Sequence, residues 1–152
     1  MNRTPSLRET IQLVNIAFSG MYDGAGQPYI FHLTHVAEKF KELSLQTVAL
    51  LHDIVEDTDV SLEGLRIAGY SEEIVEAIDA ITKRKGEEYQ DYLARVKANR
   101  LARKVKLADL EHNMDRTRFV GPNKLLPKQS VYIEKRMEKY RDAVQFLSSG
   151  FN

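Results

Sequence analysis

The sequence has no cysteine. That excludes a disulfide scaffold and any thiolate metal site, so a metal here has only His, carboxylate, carbonyl or water donors. It also lacks an excess of charge of either sign, since 22 Lys and Arg balance 22 Asp and Glu. A general nucleic-acid binder carries a basic surplus; that class is set aside, and only a local basic patch for a small anion stays open. No apolar run approaches the ~20 residues of a membrane span, and the opening MNRTPSLRET has no apolar signal-peptide segment. The expected location is cytoplasmic, with no membrane partner. Strand-like alternation, internal repeats, low-complexity tracts and Pro/Ser linkers are missing too. The expectation is one domain over residues 1–152, long enough for a real core.

What is there reads as helix. The composition is ordinary, 43% hydrophobic and 29% charged. Ser6 to Glu9 form a capping box behind Pro5, followed by an apolar stripe through Ile11, Val14, Ile16, Ala17 and Phe18. MYDGAGQPY, with Gly20 just before it, is a loop. Further helices are expected from near His32 through KFKEL, from about Leu45 to Glu56, and from Leu62 to Ala68 with Gly69 as C-cap. Ser71 caps another, with Glu72 and Glu73 in its first turn, running to about Lys83. The remaining helices are Glu87 to Ala98, Leu101 to about Arg116 and, after the loop FVGPNKLLPK, Gln129 to Leu147. The fold class is all-α, a bundle of six to eight helices.

One stretch sets chemistry against packing. LLHDIVEDT, Leu50 to Thr58, puts four ionisable groups on an otherwise apolar helix. At ~100° per residue His52 and Glu56 share a face, with Asp53 and Asp57 beside them. Burying such groups is expensive unless something pairs them, and a divalent cation would. Neighbouring ligands on a helix diverge, so the rest of a coordination sphere must come from elsewhere. Two of the four histidines, His32 and His35, lie in GQPYIFHLTH. In VKLADLEHNMD, Asp109, His112 and Asn113 share a face at i, i+3 and i+4.

With these three segments in order, the chain resembles the HD superfamily of metal-dependent phosphohydrolases, and most of all the guanosine tetraphosphate hydrolases. GQPYIFH is similar to the family's G-x-P-Y-I-x-H-P, LLHDIVEDT to L-L-H-D-V-x-E-D-T, and KLADLEHNM to K-L-A-D-x-x-H-N-M, together spanning Gly26 to Met114. The resemblance implies that His32, His52, Asp53 and Asp109 ligate one divalent metal. Manganese is the first expectation, with iron, zinc, cobalt, nickel or magnesium as alternatives. It implies that Glu56 and Asp57 handle the attacking water and its protons, and that Asn113 contacts substrate near the metal. The implied partner is a small-molecule nucleotide losing pyrophosphate from its ribose 3′ oxygen. Lys83, Arg84 and Lys85, with Arg116 and Arg118, are candidates to neutralise that group.

The sequence departs from the family pattern in places. SGMYDGAGQPY has no Lys or Arg where the family carries base-contacting cations, and it holds Asp23; Tyr22 could stack on a base instead. Leu33 follows His32 in place of Pro, and Leu110 and Glu111 replace a basic and an apolar residue. Guanosine tetraphosphate, another nucleotide or a different phosphate ester all remain open, as does a binding module without turnover, though no ligand or acid is missing. Blander readings stand beside these. His35 is assigned a structural or supporting role, and His112 is split between a supporting role and substrate contact. Lys83 to Lys85 also read as a solvated helix end. Tyr89 and Tyr92 read as packing, and the last helix as core first and homodimer surface second.

Overall fold

The computed structural model describes residues 3–119 and 127–150. Among them are nine α-helices: α1 (Leu7–Ala17), α2 (Ile30–Glu38), α3 (Leu43–Leu51), α4 (Ile54–Asp57), α5 (Leu62–Ala68), α6 (Glu72–Ile81), α7 (Tyr89–Ala98), α8 (Arg100–Asn113) and α9 (Pro127–Ser148), with a 3-10 turn at Arg116–Phe119. The described residues hold no strand, only an isolated bridge between Tyr22 and Pro28. Among the described residues no helix is long and apolar enough to cross a membrane. Most of the expected FVGPNKLLPK loop, Gly121 and Pro122 included, lies outside the described residues, as does the side chain of Arg116.

The all-α expectation holds, with one more helix than the upper bound. The extra one arises where a single helix was expected over Leu45 to Glu56. The chain leaves the helix after Leu51, turns through His52 and Asp53, and restarts as the four-residue α4. Asp53 sits at φ −105°, ψ 0°, outside helical geometry. The physical reason lies in what surrounds the turn. Leu50, Leu51 and Ile54 are wholly buried, and a regular helix would splay His52 and Asp53 by ~100°. With the turn, both side chains reach one place.

Local signals decide most ends. The Ser6 hydroxyl accepts from Glu9 N–H at 3.1 Å, and Ser6 N–H donates back to the Glu9 carboxylate at 3.2 Å, which completes the capping box. Ser61 and Ser71 cap α5 and α6. Gly69 closes α5 at φ +105°, and a Cβ there would stand 2.6 Å from the Arg3 carbonyl oxygen, so conformation and space both require glycine.

Helix α3 is the axis. Leu45, Thr47, Val48, Ala49, Leu50 and Leu51 are all buried, so it is apolar around most of its girth, as a core helix must be. Helices α1, α2, α6 and α8 pack on it; α7 packs on α6 and α8, and α9 lies across α7 and α8. The far end of α6 is held by Arg95 of α7. Its guanidinium donates to the carbonyls of Asp79 (2.6 Å), Ala80 (3.1 Å) and Thr82 (3.1 Å) and pairs with Glu87 at 2.6 Å. This brings the α6–α7 loop, with Lys83, against α4.

Candidate active site

The site gathers where α2, the α3–α4 turn and α8 meet. His32, His52, Asp53 and Asp109 each offer a ligand atom, and these atoms all lie within 4.8 Å of one another. His32 Nε2 is 2.9 Å from Asp109 Oδ1. His52 Nε2 is 3.2 Å from that same oxygen and 3.1 Å from Asp53 Oδ2. The structure therefore brings together all four residues expected as ligands, from three separated segments.

The donor chemistry fits a cation. His52 Nδ1–H donates to the Ala49 carbonyl at 2.6 Å, which turns the Nε2 lone pair toward Asp53 and Asp109. His32 makes the matching contact, Nδ1 to His112 Nδ1 at 2.7 Å. Burial and the Arg118 charge push the His112 imidazole down to about 4; it is neutral near pH 7 and can accept the His32 proton. With Nδ1–H donating in both rings, the Nε2 atoms of both ligand histidines face carboxylate oxygens, an arrangement that a divalent ion would complete. With no cation the same pressure falls on His52 itself: burial opposes its charge, but Asp53 and Asp109 outweigh burial and raise its pKa well above the usual value. Two imidazoles with two carboxylates suit manganese, iron or zinc better than calcium or magnesium.

Three side chains brace this cluster. Lys106, in the cationic stretch ARKVK, is half-buried, with Nζ 3.0 Å from Asp109 Oδ2. Its charge, with that of His52, holds Asp109 well below the carboxylate range against the cost of burial. Tyr29 donates its hydroxyl to Asp53 Oδ2. Asn113 donates to Asp109 Oδ1 at 3.2 Å. Neither Lys106 nor Tyr29 was singled out from the sequence. Both sit inside matched motifs, Tyr29 in GQPY and Lys106 three residues before Asp109, and that spacing was the available signal.

Beside the cluster stand the two acids. Glu56, Asp57 and Asp53 bring carboxylate oxygens within 4.8 Å of each other. Glu56 also accepts from Lys83 N–H at 3.1 Å. Partial burial and the Asp53 charge raise both pKa values; Asp57, with Glu56 also facing it, reaches about 6.

A cavity of about 510 Å³ opens off the cluster, large enough for a nucleotide. It is lined by Tyr29, His32 and Asn113, by Tyr22 and Asp23, and by Arg136 and Tyr140 of α9. Asp23 is not free to meet a base. Its Oδ1 accepts from Ala25 and Gln27 N–H at 2.9 Å, and its Oδ2 takes Arg118 at 2.7 Å. Arg118 in turn donates to the His112 carbonyl at 3.0 Å. Tyr22 is exposed on the rim. Of the other candidates, Arg84 turns to Asp79 at 3.8 Å, and exposed His35 stacks on His112 at 3.8 Å between ring centroids.

Comparison with known proteins agrees with this geometry. No protein-family model matches the chain. Over 113 residues it is 33% identical to a probable GTP pyrophosphokinase of Mycobacterium leprae, covering 66% of this chain and 14% of that protein. It is 37% identical over 82 residues to a guanosine-3′,5′-bis(diphosphate) 3′-pyrophosphohydrolase of Vibrio cholerae, covering 51% of this chain and 12% of that protein. With the bifunctional (p)ppGpp synthase/hydrolase SpoT of Escherichia coli it shares 29% identity over 132 residues, 78% of this chain and 19% of that protein. The chain therefore spans under a fifth of the length of these relatives. Among solved structures, a metazoan ortholog of SpoT that hydrolyzes ppGpp superposes with a TM-score of 0.72 and 21% identity, over 99% of this chain and 90% of that one; this likeness establishes a shared fold. Fold and site define an HD-type all-α domain. Within that class it is similar to the guanosine tetraphosphate hydrolases, the group that the three motifs resemble.

Proposed function

We propose that the chain is a metal-dependent phosphohydrolase of a nucleotide, removing 3′-pyrophosphate from guanosine tetraphosphate, and that residues 1–152 act as one catalytic domain. One observation carries this reading: four ligand atoms converge within 4.8 Å with two acids of raised pKa beside Asp53, and His32 of the four lines a nucleotide-sized cavity. The names of the relatives support it.

His32, His52, Asp53 and Asp109 would hold the ion, manganese by expectation. When bound, it supplies a water of lowered pKa and neutralises a phosphate oxygen. The protein's own residues do the rest. Glu56 and Asp57 take the proton of the attacking water, and their raised pKa values bring them nearer neutral pH, where a carboxylate can both accept and return one. The Lys83 N–H fixes one oxygen of Glu56. Asn113 and Lys106 hold Asp109 so that its charge stays directed at the centre. Tyr29 does the same for Asp53.

Asp23 favours a second reading, an HD phosphatase or phosphodiesterase on another nucleotide or phosphate ester. The loop that should present cations to guanine carries instead a carboxylate already tied to Arg118. The deciding experiment is pyrophosphate release from guanosine 3′-diphosphate 5′-diphosphate with added manganese, with Asp109→Ala as control. Release by wild type alone supports the first reading. No release from metal-loaded protein, with turnover of another nucleotide in a panel, supports the second. The proposed setting is the cytoplasm. A homodimer through α9 has the exposed Val131 and Tyr132 in its favour, and light scattering decides it.

A further inference from the structure

Asp109 uses its two carboxylate oxygens differently. Oδ1 faces the cluster. It lies 2.9 Å from His32 Nε2 and 3.2 Å from His52 Nε2, and it accepts from Asn113 at 3.2 Å. Donors that share one ion, each ~2.1 Å from it and at roughly right angles, stand about 3 Å apart. Oδ1 therefore has the spacing of a ligand atom. Oδ2 is taken by Lys106 Nζ at 3.0 Å. That ammonium is itself confined. It stands 5.6 Å from the Tyr92 ring centroid, and the Tyr92 hydroxyl donates to the Ile81 carbonyl at 2.6 Å, which fixes the ring. Lys106 also precedes Asp109 by three residues on α8, so one helix sets the pair. A charge-assisted contact of this kind is among the stronger ones a side chain makes.

A carboxylate beside a divalent ion can give it one oxygen or both. A second oxygen from Asp109 would fill a position that the attacking water or a phosphate oxygen needs. We infer that Lys106 is a positioning residue that restrains Asp109 to one oxygen, Oδ1, and so keeps a coordination position of the bound metal free for water and phosphate. The inference rests on the metal-dependent reading of the site. It goes beyond that reading in making Lys106 decide how many protein donors the ion receives. A lysine that only balanced the Asp109 charge would destabilise the fold when removed and leave the number of metal-bound waters as it was.

The test loads the full chain with manganese and counts the exchangeable waters on the ion by oxygen-17 NMR relaxation, with affinity from a titration followed by electron paramagnetic resonance. Lys106→Met holds one water fewer than wild type. It binds manganese at least as tightly, because a like charge is gone and an oxygen is freed. Lys106→Arg keeps a charged donor and restores the wild-type count. Lys104→Met, at an exposed lysine of the same helix, changes neither quantity. Lys106→Ala carries the same expectation as Lys106→Met, and it covers the case in which methionine packs badly against Tyr92. A wild-type water count in both manganese-loaded variants overturns the inference. Loss of manganese binding in both overturns it too, since Lys106 would then hold Asp109 in the site rather than restrain it. Wild type that takes up neither manganese nor another divalent ion overturns the metal-dependent reading itself, a failure distinct from an unchanged count in loaded protein.

Discussion

Adding manganese to chelator-treated protein should raise its melting temperature, and the size of the rise follows from the ligand cluster. Four donors within 4.8 Å bind only when the fold assembles them from α2, the α3–α4 turn and α8, so metal binds the native state alone. At a free concentration of 100 times Kd the linkage contributes about 2.7 kcal/mol. Unfolding entropy is ~2.1 cal/mol/K per residue near the midpoint, which for 152 residues makes ~0.3 kcal/mol/K. The expected rise is about 8 °C by differential scanning calorimetry. Calcium at the same concentration should give almost none, because two imidazoles suit it poorly. Asp109→Asn removes an oxygen charge shared by His32, His52 and Lys106 and melts lower on its own account; the informative quantity is its shift on adding manganese, which should be small. An equal shift with calcium, or a full shift in Asp109→Asn, would refute the metal centre.

Other outcomes follow from the same geometry. Glu56→Gln should retain the manganese shift yet lose turnover of the panel's best substrate by ~10²–10⁴-fold; wild-type turnover would remove Glu56 from the chemistry. Asp57 is pushed up to about 6 by burial, Asp53 and Glu56, so its carboxylate is disfavoured in the fold once ionised. Asp57→Asn in chelator-treated protein should therefore melt higher than wild type at pH 7.5 and alike at pH 3, below the unfolded-state value of 3.8, where the aspartic acid is mostly neutral in both states; a pH-independent difference would point to another cause. Arg95→Ala takes three carbonyl contacts and the Glu87 pair from the α6 end and should cost about 2–4 kcal/mol in urea melts, with less than 1 kcal/mol arguing that water replaces them. Gly69→Ala combines a left-handed φ with a 2.6 Å approach to the Arg3 carbonyl and should cost at least ~1–2 kcal/mol.

How much of this was legible in the sequence depended on how local the signal was. Caps at Ser6 and Ser71 and the stop at Gly69 are decided by neighbours within four residues, and the helices they bound appear as read. The four ligand candidates were readable because each stands in a motif, and the fold brings them together. The break at His52 was not readable, because LLHDIVEDT has no glycine or proline to interrupt it; tertiary burial of Leu51 and Ile54 on either side sets the turn. Lys106 looked solvated because ARKVK is a run of cations, and only its partner on the same helix, Asp109, shows it turned inward. Arg136 was invisible as a cavity residue. Nothing within α9 says which cavity the helix crosses.

The zero net charge conceals a separation that the fold creates. Asp53, Glu56, Asp57 and Asp109 crowd together, and burial with the Asp53 charge raises Glu56 and Asp57. Arg136 of α9 lines the cavity, and no ion pair joins it to a carboxylate among the described residues. Opposite charges so close would lower their energy by meeting, as Lys106 and Asp109 do at 3.0 Å. What keeps the remainder apart is structure. Glu56 is held by a backbone N–H, and Arg136 by phenols on its own helix. A cation held among the acids would relieve their crowding, as the Lys106 ammonium already does for Asp109.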